Sequence, residues 1–205
     1  AESDVRFRIY HQKNAGAGMA RNFGMSKARG KYTVFLDSDD IFYPNMLYEL
    51  QKKAEETKAD IVVCRYNQFS ESNYKNVSFV KRSIREEYLP DKDVFNINDF
   101  KKYAFQLFSG MPWNKMFRTE FIRRTNYRFL NLENSNDTFF VFMNIFNAGK
   151  IACVEDALLK YRVLNESISH AKDKYPLCFL TALDKIYGEI TKDQRFFDLR
   201  NSYIN

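Results

Sequence analysis

The sequence predicts an α/β fold, a parallel sheet with helices on its faces. Three observations carry that expectation. Tyr32 to Leu36 and Ile61 to Cys64 are apolar runs with little polar alternation, as strands buried on both faces have. Segments with apolar residues at helical spacing separate such runs, in a β-α-β-α-β rhythm. The chain also holds 20 Phe and 13 Tyr in 205 residues, enough large side chains to fill a core and exclude intrinsic disorder.

Taken in order, Phe7 to Tyr10 alternates as a short strand does. Asn14 is placed to cap a helix in which Ala20, Phe23, Gly24 and Ala28 share a face, and Gly30 closes it. The Tyr32 strand runs into Asp37-Ser38-Asp39-Asp40. Pro44 suits the first turn of a second helix, with Met46, Leu47, Leu50 and Ala54 as its buried stripe. Residues 67–93 are polar, with a strand expected at Val77 to Val80. Asn98 is placed to cap a helix containing Phe100, Ala104, Leu107 and Phe108. Gly110 to Arg118 reads as a turn into an extended piece, and Asn136 to Asn147 as an aromatic-rich helix. Ile151 to Val154 and Leu158 to Val163 read as two strands. From Tyr175 the tail reads as a helix with Leu180, Leu183 and Tyr187 on one stripe and Gly188 as its stop.

No apolar run reaches the roughly 20 residues of a spanning helix. The longest candidate, Thr138 to Gly149, carries Asn144 and Asn147. The opening AESDVRFRIY does not spell a signal-peptide pattern. Three widely spaced cysteines form neither a zinc pattern nor a disulfide framework, so the expected setting is a reducing cytoplasm. The net charge of +6 is concentrated: residues 81–128 hold 11 basic and 6 acidic side chains. Such a surplus suits nucleic acid, an anionic membrane surface or a phosphorylated substrate, or is a solvated face. No nucleic-acid-binding motif appears, so a nucleic-acid partner is not expected.

The chemistry-bearing pattern is Asp37-Ser38-Asp39-Asp40 at the C-terminal end of an apolar strand, where open α/β sheets bind ligands. Clustered carboxylates repel one another and suit a hard cation such as Mg²⁺ or Mn²⁺. Equally, Asp39 or Asp40 could cap the next helix. Asp137 at the start of a helix could be a dipole partner, Arg21 a surface ion-pair member, and His170 an ordinary surface or core residue. The Gly16 and Gly18 turn lacks the G-x-G-x-x-G spacing, which excludes a dinucleotide fingerprint.

Residues 11–24, HQKNAGAGMARNFG, and 30–40, GKYTVFLDSDD, together resemble the family 2 glycosyltransferases of the Rossmann-like GT-A fold. Residues 112–118, PWNKMFR, the helix start at Asn136-Asp137 and residues 161–170, YRVLNESISH, are similar to that family in the same order. The subgroup resembled builds bacterial capsule, exopolysaccharide and related surface glycans. The resemblance spans Phe7 to His170 and implies a partial GT-A domain over residues 1–170, lacking its first, nucleobase-holding strands, followed by a helical tail over 171–205.

What the resemblance implies for single residues is as follows. Asp37 and Asp39 match the D-x-D pair that holds a divalent cation and the donor's ribose and diphosphate, with Asp39 touching the metal. Arg21 matches an arginine near the diphosphate. Asp137 matches the catalytic base. His170 matches a histidine that completes the metal site in some relatives. Trp113 lies in a loop that faces the acceptor. Asn136 departs from the family, which has Glu there. The implied reaction is an inverting transfer of a sugar from a nucleotide-diphosphate sugar, a UDP-sugar, to a glycan or lipid-linked acceptor, with Mn²⁺ or Mg²⁺ and peripheral contact with the inner membrane face. The alternative is a non-catalytic nucleotide-sugar-binding or degenerate partner subunit.

Overall fold

The computed structural model describes residues 4–70, 73–80, 83–163, 175, 177–195, 199 and 203. Its elements in chain order are α1 (Gly16–Lys27), β1 (Tyr32–Val34), β2 (Ile41–Phe42), α2 (Met46–Thr57), β3 (Ile61–Ser70) and β4 (Asn73–Phe79). After a region of short 3-10 turns come β5 (Lys115–Arg118), α3 (Thr119–Thr125), α4 (Thr138–Asn147), β6 (Ile151–Val163) and α5 (Cys178–Ile190). One six-stranded sheet runs β1-β5-β3-β6-β2, with β4 paired to β3.

The α/β class holds, but the sheet is mixed rather than parallel. β5 enters between β1 and β3 and runs antiparallel to both, while β3 and β6 run parallel side by side. A four-residue strand such as Lys115–Arg118 carries no signal of its direction. That is set by the α3 turn that follows and by which edge is open. β6 is one strand where two were expected. It follows β3 through register shifts near Cys64, Arg65 and Asn67, and the polar residues Glu155 and Asp156 fall at this irregularity.

The sheet is buried on both faces. Ile61 and Val63 of β3 face a cluster with α3, α4 and α5, which includes Phe117, Phe140, Ile145 and Ile186. Val62 and Cys64 face a second cluster with α2, built on Met46, Leu50 and Ala54. Each fully buried large side chain contributes on the order of 1.5–3 kcal/mol. The α2 stripe is Met46-Leu50-Ala54, at i, i+4 and i+8; Leu47, expected on it, is 53% exposed. In α5 the buried positions are Ala182, Ile186 and Ile190; Leu180 and Tyr187 face outward, and the helix runs through Gly188. In α1 the buried residues are Gly18 and Met25, not the Ala20 face.

Phe7 to Tyr10 forms no strand, and Phe7 and Ile9 are exposed. No neighbouring strand among the described residues offers these residues a ladder. Where one helix was expected after Asn98, two 3-10 turns stand, Ile97–Asp99 and Lys101–Tyr103. Asn96 rather than Asn98 caps the first, in a reciprocal box with Asp99. Phe100, Ala104, Leu107 and Phe108 are nevertheless buried as expected.

Candidate functional site

The site is built from α1 outward. Gly16 has φ +84°, a left-handed backbone that glycine adopts without penalty, and it starts the helix. Gly18 is there for contact: a Cβ on it would lie 2.4 Å from the Leu130 carbonyl oxygen and 3.1 Å from Asn136 Cβ. One turn on, Asn22 clasps the Phe129 backbone in both directions. Its Nδ2 donates to the Phe129 carbonyl at 2.8 Å, and its Oδ1 accepts the Phe129 N–H at 2.9 Å. α1 is thus pressed against residues 129–136, although they lie more than 100 positions later.

That contact places Arg21. Its guanidinium donates to Asp37 Oδ1 at 2.5 Å and to Asn136 Oδ1 at 3.1 Å, and it lies over the Phe129 ring. One side chain therefore ties the acidic turn after β1 to the residue before Asp137. Beneath it, Phe35, Phe117, Phe129 and Phe140 pack edge-on and stacked, with ring centroids 4.2–6.0 Å apart. This aromatic floor carries Arg21 on its Phe129 ring.

The acidic turn follows β1 after Phe35 and Leu36. The Asp40 N–H bonds the Asp37 carbonyl at 3.3 Å, folding three carboxylates together. Oxygen atoms of Asp37, Asp39 and Asp40 lie within 4.8 Å of one another. β6 clamps the turn: the Arg162 N–H reaches Asp40 Oδ1 at 3.0 Å, and Arg162 Nε reaches the Asp39 carbonyl at 2.8 Å. Among the described residues Asp40 Oδ2 is buried without a hydrogen-bond partner. Burial pushes the Asp40 carboxyl up to about 6; the Arg162 N–H opposes the rise, and the charges of Asp39 and Asp37 add to it. A cation among these oxygens would relieve both the orphaned atom and the mutual repulsion, so the donor set fits a hard divalent ion. His170, the other expected metal ligand, lies outside the described residues.

Asp137 stands at the N-cap of α4, where its carbonyl accepts the Val141 N–H at 2.9 Å; its side chain makes no cap bond. The carboxylate is therefore not used up as a helix cap. Burial holds it above the usual carboxylate range, the Arg21 charge works against the rise, and Asp37 adds to it. The preceding Ser135 has a left-handed φ of 55°, which turns the chain so that Asn136 meets Arg21 and Asp137 opens the helix.

Lys115 was not singled out for the site by its sequence context, yet it is fully buried beside it. Its Nζ donates to the Ser109 and Met111 carbonyls and to Asn114 Oδ1 at 2.8–2.9 Å. Burial pulls its ammonium down to about 7, while the Asp137 charge favours the protonated form. Three acceptors match the three N–H bonds of an ammonium. The result is a fixed Ser109–Met111 loop, with Gly110 packed against Thr138 and Phe142 of α4. Trp113, expected to face an acceptor, is 3% exposed. It stacks on Tyr161 and meets Tyr66 edge-on, so it anchors this loop from within. Asp40, Gly18, Asn22 and Lys115 complete the site; none has a local sequence signal beyond its place in a quoted motif.

Comparison with known proteins fits this geometry. Among solved structures, S. aureus TarS residues 1–349 in complex with UDP-GlcNAc superposes with a TM-score of 0.66 at 18% identity, covering 95% of this chain and 55% of that one. Among curated proteins, the uncharacterised glycosyltransferase YibD of Escherichia coli is 29% identical over 171 residues, covering 82% of this chain and 48% of its own. Glycosyltransferase GlyG of Streptococcus pneumoniae is 31% identical over 171 residues, covering 80% and 55%. The chain thus spans about half the length of the curated relatives it matches. The family described as Glycosyl transferase family 2 matches residues 1–125, and this chain, with its GT-A fold, belongs to it.

Proposed function

We propose that this chain carries the transfer centre of an inverting, metal-dependent glycosyltransferase. It moves a sugar from a UDP-sugar to a hydroxyl of a glycan or lipid-linked acceptor in cell-surface polysaccharide synthesis. The observation that carries this reading is the Arg21 bridge, which brings Asp37 and the residue next to Asp137 to one guanidinium. The TarS complexes with UDP and UDP-GlcNAc support a uridine donor.

Asp39, with Asp37 and Asp40, would hold Mn²⁺ or Mg²⁺. When bound, that ion supplies Lewis-acid neutralisation of the diphosphate oxygens. Arg21 adds a fixed positive charge beside the same group, oriented by Asp37 and Asn136. Asn136 is neutral, so Arg21 meets one carboxylate there rather than two and keeps more of its field for an anion. Asp137, with its carboxyl raised by burial, takes the proton of the acceptor hydroxyl. The acceptor oxygen bonds the anomeric carbon as the bond from that carbon to the diphosphate breaks. The nucleoside diphosphate leaves, and the carbon inverts. Trp113 serves the acceptor side by anchoring the Gly110 loop. Among the described residues no helix is long and apolar enough to cross a membrane; the proposed membrane contact is peripheral, at the inner face of the plasma membrane.

The test is calorimetric titration of UDP with and without Mn²⁺. Wild type should bind more tightly with the ion, and Asp39→Asn should lose that gain. Equal Mn²⁺-dependent affinity in the variant would remove the metal assignment.

A further inference from the structure

Two arginines support the acidic turn, and they do so in different ways. Arg21 pairs with the Asp37 carboxylate itself, so it occupies an oxygen that an ion could use. Arg162 leaves the Asp39 carboxylate open: its Nε donates to the Asp39 main-chain carbonyl at 2.8 Å. Its main-chain N–H holds Asp40 Oδ1 at 3.0 Å, and Asp40 Oδ2 stays without a hydrogen-bond partner among the described residues. Strand pairing explains why Arg162 is the residue that does this. β2 runs antiparallel to β6, with Ile41 opposite Lys160 and Phe42 opposite Leu159. Continued two residues toward the turn, the same register sets Asp39 across from Arg162.

Arg162 is itself held from the other side. β3 and β6 run parallel there, with Gln68 beside Tyr161 and Phe69 beside Arg162. The Arg162 guanidinium lies over the buried Phe69 ring, 5.6 Å from its centroid. Tyr161 stacks on Trp113 and meets Tyr66 edge-on. The end of β6 is thus a fixed support for the turn. The turn needs one, because the oxygens of Asp37, Asp39 and Asp40 lie within 4.8 Å of one another and repel. Released at Asp39, the turn would open to relieve that repulsion, and an ion would have to gather the carboxylates again. Charge alone argues the other way. A guanidinium beside a cation site repels the cation, so as a bare counter-charge Arg162 would weaken ion binding. Only its hydrogen bond to the turn works in the ion's favour.

Resting on the metal reading above, we propose that Arg162 is a positioning residue of the ion site: its Nε–H, bonded to the Asp39 carbonyl, keeps the three carboxylates gathered for a hard divalent cation. The hydrogen bond, not the charge, is what serves the site.

Titration of the metal-free chain with Mn²⁺ alone tests this without any turnover, the free ion being followed by its paramagnetic resonance signal. Two variants separate hydrogen bond from charge. Arg162→Met removes both and keeps an aliphatic stem on Phe69. Arg162→Gln places an amide N–H as many bonds from Cα as Nε is, so it keeps the donor and loses the charge. Arg162→Met should bind Mn²⁺ about threefold to tenfold more weakly than wild type, the scale of one net hydrogen bond. Arg162→Gln should bind it as tightly as wild type or more tightly. Both variants keep the main-chain pairing of β2 with β6, so their metal-free melting temperatures should stay within about 4 °C of wild type. Arg162→Met binding as tightly as wild type, or more tightly, overturns the inference. So does Arg162→Gln binding more than about threefold more weakly, and this variant decides alone if the Met variant folds poorly. Asp39→Asn in the same titration separates the two readings. If it loses Mn²⁺ while Arg162→Met keeps it, the positioning role alone falls. If it binds Mn²⁺ as wild type does, or wild type binds none, the metal reading falls and the inference with it.

Discussion

Gly18→Ala is the substitution that most directly perturbs the assembly of the site. The new Cβ would sit 2.4 Å from a backbone oxygen, Leu130 O, whereas ordinary contact begins at 3.4 Å. α1 must therefore retreat from residues 129–136 by about 1 Å, because a backbone carbonyl cannot swing aside as a side-chain tip can. Retreat stretches the two Asn22 bonds to Phe129 and the Arg21 bond to Asn136, all now 2.8–3.1 Å. Overpacking of this kind costs roughly 1–3 kcal/mol. For a chain of this size each kcal/mol lowers Tm by about 2–4 °C. The assay is a thermal melt with UDP titration alongside, and Gly24→Ala as the control. Gly24 has nothing within 4 Å of its would-be Cβ and lies inside the same helix, so alanine there should stabilise by roughly 0.5–1 kcal/mol. A Gly18→Ala protein that melts with wild type and binds UDP equally would refute the claim that close packing of α1 builds the site.

Two further outcomes follow from the charges. Asp40 has a folded value of about 6, above the 3.8 of a free aspartate, so the folded state holds its proton more tightly than the unfolded state. Stability of the metal-free protein should fall as pH rises from about 4 to about 6 from this group, and the penalty should stay constant above that. Asp40→Asn should accordingly raise Tm at pH 7.5 by more than at pH 4.5; an equal shift at both would show that Asp40 is not strained as the carboxylate. The basic surplus in residues 81–128 should draw the chain to anionic vesicles at low salt and release it as salt rises. Lys115 takes no part in that attraction, being fully buried. Equal sedimentation with neutral and anionic vesicles would rule the attraction out.

Much of this site was legible in local patterns, for physical reasons. The acidic turn shows because four polar residues end an apolar run. The α4 start shows because Asn136-Asp137 precedes an aromatic segment that can only be buried. The Gly-rich turn shows because Gly16 and Gly18 are rare tolerances in a chain with seven glycines. What stayed hidden depends on contacts far apart in sequence. The antiparallel insertion of β5 is decided by pairing, not by the residues Lys115–Arg118. Trp113 is interior because Tyr66 and Tyr161, 47 residues before and 48 after it, close on its ring. Leu47 and Leu180 are exposed because the helices bury the neighbouring stripe, and periodicity admits either. The Arg21 bridge to Asn136 joins two residues 115 positions apart, and no spacing rule links them.

Asp137 is proposed as the base at a site whose donor is held elsewhere, by Arg21, Asp37 and Asp39. The measurement that tests it is the parallel determination of UDP-sugar affinity and turnover with Mn²⁺ for wild type and Asp137→Asn, using an acceptor on which wild type is active. Loss of a general base lowers turnover by roughly 10²–10⁴. Asp137→Asn should show a fall of that size with donor affinity unchanged. An Asp137→Asn protein that turns over as wild type does, or one that loses turnover only because it no longer binds the donor, would contradict it.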